Sequence, residues 1–254
     1  MTEQPKNFGF GEDETMLKDS AAKFFADNCS ADKLHGLVAE DPNIHRSIEC
    51  IWDKQLWQQI TELGWTAACV PEEAGGLGMP LVAAVAIAEE AGKAAFPSPL
   101  ISTMIASFVL KECHSDAATK ALGDVASGVP MTLAVTNKLG SWEPSDTDVA
   151  AAGTTLNGTA YFVQDAQKCD QFIVSATTPK GVALFLVDAN AAGVSITPDG
   201  IIDLTRDQAH VEFKNVEAIE LAAPGTGEDS LASALPAIQT IITEIGRASC
   251  RERV

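Results

Sequence analysis

The hydrophobic period of this chain switches from helical to alternating at Gly128-Val-Pro130, and no other feature limits its fold so strongly. Before that point apolar residues recur at helical spacing. After it they alternate or gather in short runs bounded by turn residues. Such a chain segregates helices from strands, which predicts an α+β protein with a helical domain followed by a β-domain.

In the first half Leu17, Ala21, Phe24, Phe25 and Asn28 follow helical spacing, and Glu12, Asp13 and Glu14 sit where a helix dipole favours negative charge. Residues 30–42 read as irregular. A second helix puts Trp52, Leu56, Ile60 and Leu63 on one face and closes at Leu63-Gly64. A turn carrying Gly75, Gly76 and Gly78 feeds a helix over Leu81–Ala95, apolar almost all round through Ala88, as a helix buried on most sides is. Phe96-Pro-Ser-Pro99 stops it and starts another, with Ser98 as N-cap, Pro99 at the first position and Ile101, Met104, Ile105 and Phe108 inward. Ser115 is the expected N-cap of a further helix through Leu122 and Val125.

Beyond Pro130 the expected strands are Met131–Thr136, Ala160–Gln164, Phe172–Ala176, Val182–Val187, Val194–Thr197 and Ala209–Phe213. Their spacing suggests an antiparallel barrel or sandwich. Pro224-Gly-Thr-Gly227 reads as a linker, after which Leu231, Leu235, Ile238 and Ile242 restore the helical period.

A formal charge of −18 argues against a nucleic-acid groove or an anionic membrane surface, both of which need clustered Lys and Arg. No run approaches the roughly 20 apolar residues of a membrane span, and Met1-Thr-Glu-Gln-Pro-Lys6 lacks the character of a signal peptide. A cytoplasmic protein is expected. The cysteines at 29, 50, 69, 113, 169 and 250 form no C-x-x-C pair and read as small buried hydrophobes, and the scattered histidines offer no metal spacing.

The last residues, Ile245-Gly-Arg-Ala-Ser-Cys-Arg-Glu-Arg-Val254, break the acidic character of the chain. They read in frame as the translation of a common short-read sequencing adapter, whose preceding bases complete the codon of Glu244. They are set aside as an adapter-derived tail, and the chain is expected to be a fragment whose native sequence continued past Thr243.

The order helices, β-domain, further helix is joined by Glu62-Leu-Gly-Trp65, Val70-Pro-Glu-Glu-Ala-Gly-Gly-Leu-Gly78, Glu89-Glu-Ala-Gly92 and Leu156-Asn-Gly158. Leu184-Phe-Leu-Val-Asp188 with Gly193-Val194, and Val211-Glu-Phe-Lys-Asn-Val216, complete the set. In this order and spacing they resemble the acyl-CoA dehydrogenase family over residues 10–243. The resemblance implies an N-terminal all-α domain (1–128), an antiparallel β-barrel domain (129–226) and the first helix of a truncated C-terminal helical bundle (227–244), followed by the tail (245–254). It also implies FAD bound between the β-domain and the bundle, and oxidation of an acyl-CoA thioester to the 2,3-enoyl-CoA. An electron-transfer flavoprotein as electron acceptor and an oligomeric protein follow from it too. In most members the base is a glutamate of the C-terminal bundle, so no residue here takes that role and the fragment by itself is expected to be inactive. Phe96-Pro-Ser-Pro-Leu100 and Leu204-Thr-Arg206 resemble the branch acting on steroid and other bulky acyl-CoAs. Some subunits of such branches lack the base and act as partners. A flavin oxidase or monooxygenase of the same fold is the other alternative.

Flavin contacts carry over residue by residue. Leu133-Ala-Val-Thr136 matches the strand whose end, Val135 and Thr136, offers a backbone group and a hydroxyl to the isoalloxazine edge. Gly140 and Ser141 resemble the pair near pyrophosphate and substrate, although Thr136-Asn-Lys-Leu139 replaces the usual Thr-Glu-Pro-Gly. In Phe162-Val-Gln164 the aromatic of the second contact strand is kept, and the amide of Gln164 replaces a hydroxyl near N5. Glu72, Glu73, Glu89 and Glu90 read as turn and helix-surface carboxylates, and Gly75-Gly-Leu-Gly78 as a turn without phosphate-loop spacing.

Overall fold

The structure, a computed structural model, describes residues 11–39, 52–203 and 205–251. Cys50, Leu204 and the first residues, on which some of the sequence readings fall, lie outside it, as does the side chain of Cys250.

Six helices come first. In α1 (Glu12–Asn28) the Gly11 N–H donates to Glu14 Oε2 at 2.9 Å, and Ala21 and Phe25 are buried. Residues expected to be irregular form α2 (Ala31–Ala39). Ser30 starts it, its carbonyl accepting from Leu34 N at 3.0 Å and its hydroxyl from Lys33 N at 3.4 Å. Asp53 caps α3 (Lys54–Glu62) by accepting from Gln55 N at 2.8 Å, and Trp57 and Ile60 turn inward. The glycine turn contains a short 3₁₀ segment, Glu72–Ala74, and leads to α4 (Leu81–Lys93). Every residue of α5 (Leu100–Lys111) up to Leu110 is buried, so this is the central helix. Ser98 serves its start, accepting from Leu100 N at 3.3 Å. Ser115 caps α6 (Asp116–Ala126) as expected and also donates to the Leu221 carbonyl at 2.7 Å, tying the helices to the last strand.

The junction at Gly128 is pinned. The Trp57 indole N–H donates to the Gly128 carbonyl at 2.9 Å. Gly128 has φ +94°, and a Cβ there would sit 2.5 Å from Thr61 Oγ1. The period change thus coincides with a position that only glycine fills without strain.

The β-region is an open, mixed sheet, which corrects the antiparallel barrel. Its strands are β1 (Met131–Ala134), β2 (Val149–Ala152), β3 (Thr155–Gln164), β4 (Gln171–Thr178), β5 (Gly181–Asp188), β6 (Val194–Pro198), β7 (Gln208–Glu217) and β8 (Ile219–Ala222). The order is β6-β7-β3-β2-β4-β5-β8, and among the described residues the edges β6 and β8 do not meet. The reason is a broken strand. Both β1 and β2 pair parallel with β4, with Ala134 opposite Val174 and Ala150 opposite Thr177, so they lie end to end along its edge. Between them residues 137–146 leave the sheet. The gap is bridged by Thr147 Oγ1, which donates to the Ser175 carbonyl at 2.8 Å. A chain that re-enters the same lane in the same direction makes a parallel pair, and a mixed sheet results.

β4 and β5 are buried on both faces because the sheet separates two cores. On one face Phe172, Val174, Phe185, Val211 and Phe213 pack together. On the other Met131, Leu133, Ile173, Leu184 and Leu221 join the helices in a single core with Trp65, Ile87 and Leu110. The last helix, α7 (Gly227–Arg251), runs without a break through residue 245 and packs on α4, α5 and β5. At Gly92 the two helices come so close that a Cβ would lie 2.5 Å from the Ile245 carbonyl oxygen. Among the described residues no helix is long and apolar enough to cross a membrane. Cys29, Cys69 and Cys169 are buried free thiols, and burial pushes Cys29 and Cys69 up to about 11.

Candidate functional site

A cleft of about 430 Å³ opens between α5, the broken strand, the end of β3 and α7. Ile101, Ile105, Ile242 and Ile245 make it apolar, and Trp142 closes one side from the segment that leaves the sheet. Its polar groups are Ser102, Thr132, Thr136, Gln164, Asp165 and Arg206.

A single extra residue in β3 builds one wall. Along β3 and β7, Ala160 faces Val211 and Val163 faces Ala209, so the interval on β3 is longer by one. This bulge reverses the alternation of the strand. Ala160 and Val163 both reach the sheet's own core, while Phe162 and Gln164 both face the cleft. Without the bulge Ala160, Phe162 and Gln164 would share one face. The bulge holds Phe162 at φ +55°, and Asp165 follows at +54°. A non-glycine residue in this region costs of order 1–3 kcal/mol, and such positions cluster at functional sites.

The structure brings together three of the residues singled out by resemblance: Thr136, Phe162 and Gln164 line the same cleft. Thr136 is 5% exposed, and its carbonyl accepts from Tyr161 N at 2.9 Å. Phe162 is 42% exposed although aromatic. Gln164 Nε2 donates to Gln208 Oε1 at 2.7 Å, so its amide is held in place. Val135 turns away, into a smaller crevice with Leu231, Leu235 and Ile238, and its carbonyl accepts from Ser175 Oγ at 3.5 Å. Gly140 backs onto the Phe162 ring. Ser141 does not line the cleft: its hydroxyl donates to Asp146 Oδ2 at 2.8 Å and its N–H to Asn137 Oδ1 at 3.0 Å, both within the loop.

The sequence reading missed the charged floor. Ser102 Oγ donates to Asp165 Oδ2 at 2.6 Å, and Lys168 Nζ bonds Asp165 Oδ1 at 2.8 Å and also Asp207 Oδ1. Burial pushes the Asp207 carboxyl above its ordinary range, and the Asp165 charge adds to this against the pull of Lys168. The available signal was Asp165 and Lys168, a carboxylate and an ammonium three apart just past an expected contact strand. Conversely, the carboxylates read as helix surface, Glu89 and Glu90, are buried, paired with Lys18 and Lys93 and absent from the cleft.

A helical layer packed on a mixed sheet, with a cleft where a strand is interrupted and a last helix laid across, defines the acyl-CoA dehydrogenase fold. Residues 11–129 match the family model of the acyl-CoA dehydrogenase N-terminal domain. Over this stretch the chain is similar to the acyl-CoA dehydrogenase family. It is 30% identical over 118 residues to acyl-CoA dehydrogenase IpdE2 of Mycobacterium tuberculosis, which covers 46% of this chain and 34% of that protein. Acyl-CoA dehydrogenase FadE28 of the same organism is 27% identical over 212 residues, covering 76% of this chain and 61% of its own length. Among solved structures, the Tcur3481-Tcur3483 steroid ACAD matches with a TM-score of 0.78 at 26% identity, over 92% of this chain and 62% of that one. The chain therefore spans less than two thirds of the length of each of these relatives.

Proposed function

We propose that this chain forms two walls of the flavin cleft of an FAD-dependent acyl-CoA dehydrogenase, which oxidises an acyl-CoA thioester at its α,β-bond. The observation that carries this reading is the bulge that turns Phe162 and Gln164 out of the sheet core to share a cleft with Thr136. The fit is chemical: an aromatic ring left exposed, a nearly buried hydroxyl facing open volume and an amide fixed by Gln208 suit a flat heteroaromatic ring. Bound there, FAD would supply the hydride acceptor. Thr136 would hydrogen-bond the ring edge, Phe162 would flank it, and Ile101 and Ile105 of α5 with Ile242 of α7 would exclude water.

Proton removal falls to a carboxylate elsewhere in the intact protein. Among the described residues the one carboxylate of the cleft, Asp165, has both oxygens taken, by Ser102 and Lys168. The same observation favours a second reading, a base-less partner subunit of the same fold. A bulky or steroid-type acyl group, an electron-transfer flavoprotein as acceptor, an oligomeric assembly and a cytoplasmic location belong to the proposal. So does the reading of residues 245–254 as a non-native tail, which sequencing of source DNA decides: codons other than the adapter's would refute it. The flavin reading is tested by titrating FAD into the purified chain while following flavin fluorescence. Expected is saturable binding, micromolar or weaker, lost on Thr136→Val with Phe162→Ala. Binding unchanged in that double variant, or none at about 1 mM FAD, would sink it.

A further inference from the structure

The cleft presents one cation, Arg206, that no described residue pairs directly, beside a floor in which Asp165 and Asp207 share Lys168. Arg206 lines the cleft, half-buried, and among the described residues the guanidinium has no ion-pair or hydrogen-bond partner. Carboxylates adjacent in sequence are committed elsewhere. Asp203 Oδ1 accepts from the Thr205 hydroxyl at 2.7 Å, and Asp207 and Asp165 share Lys168.

Further polar groups on the cleft wall are also uncommitted. Thr132 is 2% exposed and Thr136 5%, both line the cleft, and neither hydroxyl has a partner among the described residues. Neither hydroxyl oxygen is sealed from the cleft, so each is open to a polar group of a ligand. Thr132 lies in β1 and Thr136 two residues past its end, so their separation is no more than about 14 Å. An extended, partly polar ligand spans that distance, whereas a purely apolar one would leave both hydroxyls and the guanidinium unsatisfied.

We propose that Arg206 is an anion-recognition residue of this cleft: it takes an oxyanion of the ligand, a phosphate or a carboxylate, while Thr132 supplies a second hydroxyl contact beyond Thr136. A guanidinium is planar, permanently charged and forked to grip two oxygens at once, which suits either group. The phosphate would come from a flavin nucleotide and the carboxylate from an acyl ligand. The proposal deepens the flavin reading and rests on it only for the choice of flavin probes.

The test titrates riboflavin, FMN, FAD and decanoate into the purified chain and its Arg206→Gln, Arg206→Lys and Thr132→Val variants, with affinities read by calorimetry. Arg206→Gln should weaken the anionic probe that binds by about tenfold or more, leave riboflavin within twofold, and be only partly rescued by Arg206→Lys, which restores the charge but not the fork. Loss with FMN or FAD identifies a phosphate, and loss with decanoate a carboxylate. Raising salt from about 20 to about 200 mM should weaken the same probe on the unaltered chain, which decides the matter should the glutamine variant fail to fold. Thr132→Val, which keeps the shape, should weaken that probe several-fold. If no flavin binds but decanoate does so through Arg206, the flavin reading fails and this proposal stands. It is overturned if Arg206→Gln holds every anionic probe within twofold, if riboflavin loses as much as FMN, or if no anionic probe binds at all.

Discussion

Among the described residues two clusters of charge are buried, and they differ in balance. Among the helices, Lys18 of α1 reaches Glu89 of α4 at 2.6 Å, and Lys93 reaches Glu90 at 2.8 Å and Glu89 at 3.3 Å. Two carboxylates meet two ammonium groups, and the lysines remain about 30% exposed. At the cleft floor two carboxylates share one ammonium, that of Lys168, only 1% exposed. The first cluster is a brace: balanced, hydrated at its rim, holding α1 against α4. The second is dry and one positive charge short, on the wall where the ligand is met. An adjacent pair of glutamates looks more like chemistry in a sequence than a serine, a lysine and two aspartates far apart, yet charge balance in three dimensions reverses that ranking.

The comparison can be broken at its strongest point first. Lys168→Met leaves two buried carboxylates facing each other and should cost about 3–5 kcal/mol, read as a fall in urea midpoint at unchanged slope. Lys18→Met should cost no more than about 1 kcal/mol, since Lys93 still reaches both glutamates. Equal losses would mean that the clusters do not differ as described. Ser102→Ala removes a hydrogen bond to a charged group and should cost about 1.5–3 kcal/mol.

Acid unfolding sharpens the contrast through its sign. For Glu89, burial acts to raise the carboxyl, but the bond to Lys18 and the charges of Lys18 and Lys93 together hold it below the ordinary 4.5. Its contribution is therefore present above 4.5 and is lost as pH falls through the lower folded value. Asp207, raised above 3.8, behaves in the opposite way: its ionisation costs stability that returns as pH falls through its folded value. Glu89→Gln should accordingly flatten the loss of stability between neutral pH and about pH 3, and Asp207→Asn should steepen it. Slopes that move together would undo this assignment. The smallest effect is expected at Phe162, where φ is +55°. Phe162→Gly relieves the backbone and should change stability by about 1 kcal/mol or less, upward, while weakening flavin binding. A clear loss of stability would show that the ring supports the fold.

Much of the helical half was legible because its signals are local. Asp53 and Ser115 cap their helices through their own neighbours, and the all-apolar face of α4 marks burial wherever the helix lies. β4 and β5 were legible for the same reason, as continuous apolar runs. β2 was not, because Val149-Ala-Ala-Ala152 has little strand preference of its own and is held by its neighbours on both sides. Resemblance found Thr136, Phe162 and Gln164 but not what joins them, because the bulge exists only as a register between two strands.

By itself, then, the sequence determined the separation of helices from strands, the capped helices and the resemblance to a family, all written in short-range patterns and turn residues. Tertiary structure decided that the sheet stays open and mixed, that Phe162 and Gln164 face outward, that Glu89 and Glu90 are a brace, and that Ser102, Asp165, Lys168 and Asp207 meet under the cleft. These depend on register and on contacts between residues distant in the chain, and a one-residue slip in pairing reverses which side of a strand a residue occupies.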